Sequence, residues 1–403
     1  MKHLLSWKIL TAICLSLVML LALWYGKNIH RLYKAITLYD EDKITHNFLN
    51  MPQVFNSTRI PPSTEPFVFP GKLMPLPNEF SFEKGQLSLT EFLLDSGTTG
   101  LLVIKQGEIR FENYYLGNTQ AQQHISFSVA KSFISALIGI AIEEGHIRSI
   151  AQPITAYVPE LMGTGYDGVS IKDILQMSSG VKFNEDYGDF NSDINRFSRA
   201  IAFGSSLDEF SASLQRERQP GSYHHYVSID TQVLGMLLTR ATGRTLSDYL
   251  REKLWQPLGM EYQAFWLTDD LGMELALGGL NVSLRDYAKL GWLYLNHGRW
   301  GDKQIVPRQW VTDSVTPDSP RLIPGKNNPA SSSNYGYGYQ WWIPLGADDE
   351  FSAQGIYHQF IYVDPDQQVV IVKTSANHLY NDQSYQWPEK HLAMFRAISE
   401  YVE

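Results

Sequence analysis

Two residues three apart, Ser128 and Lys131, stand at the head of a nearly all-apolar run, "HISFSVAKSFISALIGIAIEEG", residues 124–145. A serine hydroxyl is a weak nucleophile until a neighbouring base takes its proton. A lysine amine can be that base only when neutral, and an unperturbed lysine, with a pKa of ~10.4, is charged at neutral pH. Burial against Phe133, Ile134 and Leu137 would disfavour the ammonium, and so would the positive end of the helix dipole. The same helix start would offer the Ser128 N–H to a developing oxyanion. The plainer alternative is a serine that caps the helix and a lysine that reaches out to solvent.

Spacing alone does not decide between them, because S-x-x-K occurs three times, at Ser81-Lys84, Ser128-Lys131 and Ser179-Lys182. Context does. Ser81 lies in a polar turn and Ser179 precedes Gly180, which ends a helix. Only Ser128 and Lys131 begin a long apolar helix, where positions i and i+3 share a face. A second stretch, "QPGSYHHYVSIDTQVLG", sets a Pro-Gly turn and a Tyr-Val-Ser triplet before another apolar helix. A tyrosine beside a lysine ammonium can hold a lowered pKa and work as a general base. Tyr223 and Tyr226 are both candidates on spacing.

Together these stretches resemble the serine β-lactamase-like and penicillin-binding-protein-like hydrolases, over roughly residues 95–400. The resemblance implies that Ser128 in "FSVAKSF" is acylated and that Lys131 is its base partner. "PGSYHHYVS" is similar to a Pro-Gly-x4-Tyr-Ser-Asn pattern, which selects Tyr226; Ser228 stands where asparagine is usual. "QMSSGV" and "GGLNVSLRDYAKLG" resemble two structural signatures, with Asp286 a local hydrogen-bonding residue. Penicillin-recognising members carry Lys-Thr-Gly or His-x-Gly on a strand lining the site. "KTS" at Lys373 is followed only by the last helix, so "SAQGIYHQF" is the better-placed match, through Ala353-Gln354-Gly355. That form resembles the branch typified by 6-aminohexanoate-dimer hydrolase, with His358 in place of a glycine. "NEDYGDFNSD" is similar to the same branch. The resemblance therefore implies an oxyanion hole from the N–H groups of Ser128 and Ile356. It also implies a substrate site with Tyr187, Ser228 and Gly355, and no cofactor or metal.

The elements that must position these residues follow from pattern. "GLLVIKQGEIRFENYY" reads as a hairpin about Gln106-Gly107. A mostly helical stretch follows from about Ile150 to Gly291, its helices starting at Ser or Thr and finishing near Gly. Strands return past Tyr335, and a final helix runs from about Pro388 to Tyr401. This order predicts an α+β fold: an antiparallel sheet flanked by its first and last helices, with an all-helical domain inserted at 150–291. The hydrolase domain is expected over 81–403.

Ahead of it, Ile9 to Tyr25 is a charge-free run of 17 residues followed by Lys27, which predicts an uncleaved signal anchor over 1–28. The protein would then be attached to a membrane by its N-terminal helix, with its catalytic domain on the extracytoplasmic side. Residues 29–80 read as a stalk and a proline-rich linker, with seven of the 19 prolines between 50 and 77. The first 34 residues carry five cations and no acid, so the chain's net −9 leaves −14 on residues 35–403. Such a body offers no basic face for nucleic acid. One cysteine, Cys14, excludes a disulfide framework. No Gly-x-Ser-x-Gly and no His-Glu-x-x-His occur, which disfavours an α/β-hydrolase or a zincin. The expected activity is acyl-enzyme hydrolysis of an ester or linear amide bond in a small molecule. The alternative is a membrane-anchored, penicillin-binding-like or sensor protein with little or no turnover.

Overall fold

The computed structural model describes residues 2–346 and 349–402, with the side chains of 2–6, 21–25 and 27–30 outside that set. The hairpin forms from Thr98–Lys105 (β1) and Glu108–Tyr114 (β2). Gln106 and Gly107 both have left-handed φ, +52° and +80°, as a two-residue type I′ turn requires. Five further strands complete the sheet: Gly336–Tyr337 (β3), Trp342–Ile343 (β4), Phe351–Gly355 (β5), Gln359–Asp364 (β6) and Val369–Ser375 (β7). Their order is β3-β4-β5-β6-β7-β1-β2, antiparallel throughout. β7 closes on β1, with Val370 opposite Ile104, so the two ends of the domain meet in mid-sheet.

Alternation along β1 sorts its side chains into two cores. Leu101 and Val103 join Phe395 and Ile398 of the last helix, Trp387–Tyr401. Leu102 and Ile104 face the opposite core, shared with the helix Leu284–Leu295. The covering helix on that face is thus not the first one of the domain, as the sequence order suggested. Ala130–Glu143 buries 12 of its 14 residues and lies between other helices instead. The reason is its composition: a helix apolar all round needs neighbours on every side, whereas a sheet would cover only one. Gly139 admits a close approach there, since a Cβ on it would meet the Trp310 ring at 2.4 Å.

The segment 150–291 is not helical throughout. Ala264–Leu267 and Leu280–Val282 pair with Ser57–Ile60 and His124–Ile125 in a second, four-stranded sheet. Strands of two to four residues are too short to show a period in sequence. The helix starts do follow the expected chemistry: Ser170, Thr245 and Ser283 each accept a bond from the N–H three residues on.

At the N-terminus, Lys2–Ile36 is one helix. Among the described residues no helix is long and apolar enough to cross a membrane, so the span expected over 1–28 has no support. Its 17-residue charge-free run would extend about 26 Å as helix, short of a ~30 Å hydrocarbon core. Part of that expectation rests on Leu21–Tyr25, whose side chains lie outside the described residues. Farther on, Leu38, Ile44, Phe48, Met51, Ile60 and Phe69 are buried in the main core.

Gly291 decides how closely the covering helix approaches the sheet. A Cβ there would lie 2.6 Å from Val370 and 2.7 Å from Ile361. Alanine ordinarily favours a helix by ~1 kcal/mol over glycine, but the overlap with two β-branched side chains should cost about 1–3 kcal/mol. Gly291→Ala should therefore lower the denaturation midpoint; an unchanged or raised midpoint in urea would show that the contact is not tight.

Candidate active site

Ser128 lies in a single 3-10 turn, Phe127–Val129, that leads into the helix Ala130–Glu143. Phe127 carries a φ of +42°, an unfavourable value for an aromatic residue. Val129 occupies the N-cap position and makes no side-chain cap bond, so Ser128 is not spent on capping. Nor does Lys131 reach solvent: it is 2% exposed. Its Nζ donates to Ser128 Oγ at 3.0 Å and to the Leu277 carbonyl at 2.6 Å. Burial pulls its pKa down to about 7, against the opposing pull of the Glu185 and Asp230 carboxylates. An amine so placed is substantially neutral near pH 7.

Tyr226 stands over the same amine, with Nζ 5.5 Å from the ring centroid. Its ring stacks on Trp342 at 5.1 Å, and the Ser128 and Ser228 hydroxyls favour its ionised form. The lowered tyrosine pKa expected from a neighbouring ammonium is not found. Burial, and then the Glu185 charge, push it up, and the neighbouring serine hydroxyls only partly offset them. The physical reason is that Lys131 itself is dry and close to neutral, so it offers little positive charge. Tyr226 rests as a phenol, so the amine is the group present in its basic form near pH 7.

The far wall is the end of β5. A Cβ on Gly355 would lie 2.6 Å from the Ser126 carbonyl oxygen and 3.2 Å from the Ser128 nitrogen. Only glycine lets the strand come this near the Ser128 turn. Ile356 follows at once and borders the same cavity as Ser128. The chain then turns through Tyr357 and His358, with φ of +60° and +70°. His358 adopts a left-handed backbone, and its buried ring packs against Trp387 and His391. Lys373 is fully buried, donates to Ser375 Oγ at 2.5 Å and is not among the residues bordering the cavity.

Ser228 has a partner that the sequence did not suggest. Its N–H and hydroxyl both donate to the Glu185 carboxylate, at 2.9 and 2.5 Å. Tyr187 donates to the same carboxylate at 2.9 Å. The three form one network beside Tyr226, although Glu185 is 43 residues from Ser228. Asp230 is the second missed group: fully buried, bonded by the Tyr166 hydroxyl at 2.8 Å, and pushed up to about 8 by burial. Asp286 is structural, holding the N–H groups of Glu261 and Tyr262 and the Lys289 amine.

A serine, a buried amine, a phenol and a glycine-tipped strand thus meet at one end of the sheet. A beta-lactamase family model matches residues 94–393 of the chain. The chain belongs to the beta-lactamase family. Within it, the chain is 30% identical to the 6-aminohexanoate-dimer hydrolase of Paenarthrobacter ureafaciens over 295 residues, 72% of this chain and 75% of that one. A solved structure from Bacillus anthracis, of proposed 6-aminohexanoate-dimer hydrolase activity, superposes with a TM-score of 0.81 at 24% identity. It covers 90% of this chain and 95% of its own. The penicillin-binding protein homologue of Pyrococcus abyssi shares the fold at a TM-score of 0.55 and 18% identity, over 76% and 74% of the two chains. The protein is accordingly a beta-lactamase-fold hydrolase related to 6-aminohexanoate-dimer hydrolase.

Among members of this family, Glu185 is open to a direct check here. Its carboxylate favours the charged form of Lys131. Glu185→Gln should make the Lys131 amine titrate below the value of about 7, as followed by NMR on ¹⁵N-labelled lysine. An amine that still titrated at the wild-type pH would mean that the Glu185 charge is not felt at the site.

Proposed function

We propose that the protein is a serine hydrolase that cleaves an uncharged ester or linear amide through an acyl-enzyme on Ser128. One observation carries this reading: the Lys131 amine is buried, has a pKa of about 7 and lies 3.0 Å from the Ser128 hydroxyl. A surface lysine would be protonated and could not accept the proton; this one can. Ser128 Oγ attacks the substrate carbonyl while its proton passes to Lys131, with Tyr226 as the relay between the amine and the departing group. The N–H groups of Ser128 and Ile356 receive the oxyanion. As the tetrahedral adduct collapses, Tyr226 gives its proton to the leaving alcohol or amine and is reprotonated from Lys131. Water then takes the leaving group's place and the same steps release the acid. Tyr187, Ser228 and Gly355 border the substrate, with Glu185 holding the first two in place.

A covalent fluorophosphonate should label wild type at Ser128 and leave Ser128→Ala unlabelled. Lys131→Ala and Tyr226→Phe should each lower kcat by on the order of 10²–10⁴, and the double variant should lose little more, because both groups move one proton. The pH profile gives an independent check. The active form carries neutral Lys131, so kcat/KM should rise with pH through about 7 and level off above it. A profile that falls over that range, or multiplicative losses in the double variant, would count against this base.

Penicillins and D-alanyl peptides carry a carboxylate. Ala353 offers it no cation, and Lys373, the alternative, is enclosed. A charge-assisted hydrogen bond is worth roughly 1.5–3 kcal/mol. Benzylpenicillin should therefore be turned over at least about tenfold less efficiently than an uncharged ester. Equal kcat/KM for the two would overturn the expected preference.

A further inference from the structure

The cavity that opens at Ser128 has a volume of about 650 Å³ and a mostly apolar wall. Among the described residues lining it, one is charged, Arg199, whose guanidinium lies over the Phe190 ring at 4.1 Å and donates to the Phe190 carbonyl. Three groups of residues stand out in the wall. One is the helix Asp193–Ala202, with Ile194, Phe197 and Ile201 turned inward. Another is the nucleophile turn with Leu277 and Ile356. The third is the end of the N-terminal helix, through Leu32, Ala35 and Ile36.

That third wall is fastened. Arg31 Nη1 and Nη2 donate to Asp270 at 2.8 and 3.3 Å, and Asn56 donates to the same carboxylate at 2.7 Å. Beyond the helix, Tyr39 stacks on Tyr357 with ring centroids 5.2 Å apart, next to Ile356. The N-terminal segment therefore encloses space that would otherwise be open to solvent, and encloses it with hydrocarbon.

The placement of the cavity says which half of a substrate enters. Ser128 and Ile356 border it; Lys131 and Tyr226 do not. The leaving group must face the proton donor, so it lies on the Tyr226 side. The acyl group then extends the opposite way, past Ile356 and into the cavity. We propose that this cavity is an acyl-chain site, and that the substrates are esters or amides of long, unbranched, uncharged carboxylic acids. This assignment rests on Ser128 being the nucleophile.

The test is a series of p-nitrophenyl esters from acetate to octanoate, with a parallel series of alkyl acetates. Burying each added methylene should raise kcat/KM about two- to fourfold. The acyl series should thus rise on the order of a hundredfold or more, and the alkyl series should stay nearly level. Ala35→Trp, which fills the cavity from the N-terminal helix, should lower the octanoate-to-acetate ratio tenfold or more. Ser198→Phe fills it from the facing helix and should do the same, so a folding failure in one variant leaves the other. The same octanoyl ester carried in detergent micelles separates the sources: faster turnover there assigns a lipid-borne chain, faster turnover in solution a free ester, and a rise with chain length in either supports the site. A flat acyl series, or a ratio kept in both variants, overturns the acyl-chain assignment while leaving the serine mechanism standing. Hydrolysis that survives Ser128→Ala would instead remove the nucleophile on which the assignment rests.

Discussion

Everything at this site depends on keeping one amine dry. Moving Lys131 from an ordinary lysine pKa to about 7 means that its surroundings favour the neutral form by several kcal/mol. Apolar burial does this, against the opposing pull of the Glu185 carboxylate. The fold supplies that burial by placing the Ala130–Glu143 helix inside the helical layer, where it is covered on all sides. The Leu277 carbonyl accepts a bond from the amine without stabilising a full positive charge as a carboxylate would. A site with one carboxylate in direct contact would hold an ammonium and no base.

Dryness must be combined with close approach, and here the constraint is backbone geometry. The end of β5 reaches the nucleophile turn because Gly355 has no Cβ to strike Ser126. Phe127 accepts a left-handed backbone to present Ser128 at the cavity. Such strain persists only where the surroundings over-determine it. Gln340 provides part of that support. Its carbonyl accepts a bond from Ser132, its side chain accepts from Thr231 and donates to the Leu175 carbonyl. One residue thus fastens the nucleophile helix to the helix Ile229–Thr242, which follows Tyr226 and Ser228.

What could be read in advance was whatever is local in sequence. Ser128 and Lys131 are three apart at the head of an apolar helix, and the hairpin at Gln106-Gly107 declares its own turn. Interactions that join distant segments left no such mark. Glu185 is silent until folding brings it to Ser228, and Ser228, read as a departure from asparagine, is the residue that bonds it. Tyr226 lies beside Lys131, yet its pKa is raised, because the amine next to it is dry and close to neutral. The charge state of Lys131 is a property of burial, which spacing does not encode. The second sheet escaped because its strands are shorter than any detectable period. The placement of the Leu284–Leu295 helix on the sheet hinges on Gly291, which in sequence reads only as a weak spot in a helix.

The N-terminal fifth of the molecule then acquires a physical logic. A segment with seven prolines between residues 50 and 77 cannot form a helix of its own, yet it places Met51, Ile60 and Phe69 in the main core. The helix before it contributes Leu32, Ala35 and Ile36 to the cavity beside Ser128. Residues 35–403 carry a net −14, and the cavity wall carries almost none of that charge. A charged ligand entering would have to shed its hydration with few polar groups to replace it, a cost of several kcal/mol even after relaxation. An uncharged one meets no such barrier and gains with every methylene buried. The walls beside Ser128 thus oppose charge for the same reason that Lys131 is held neutral: burial leaves little to solvate an ion.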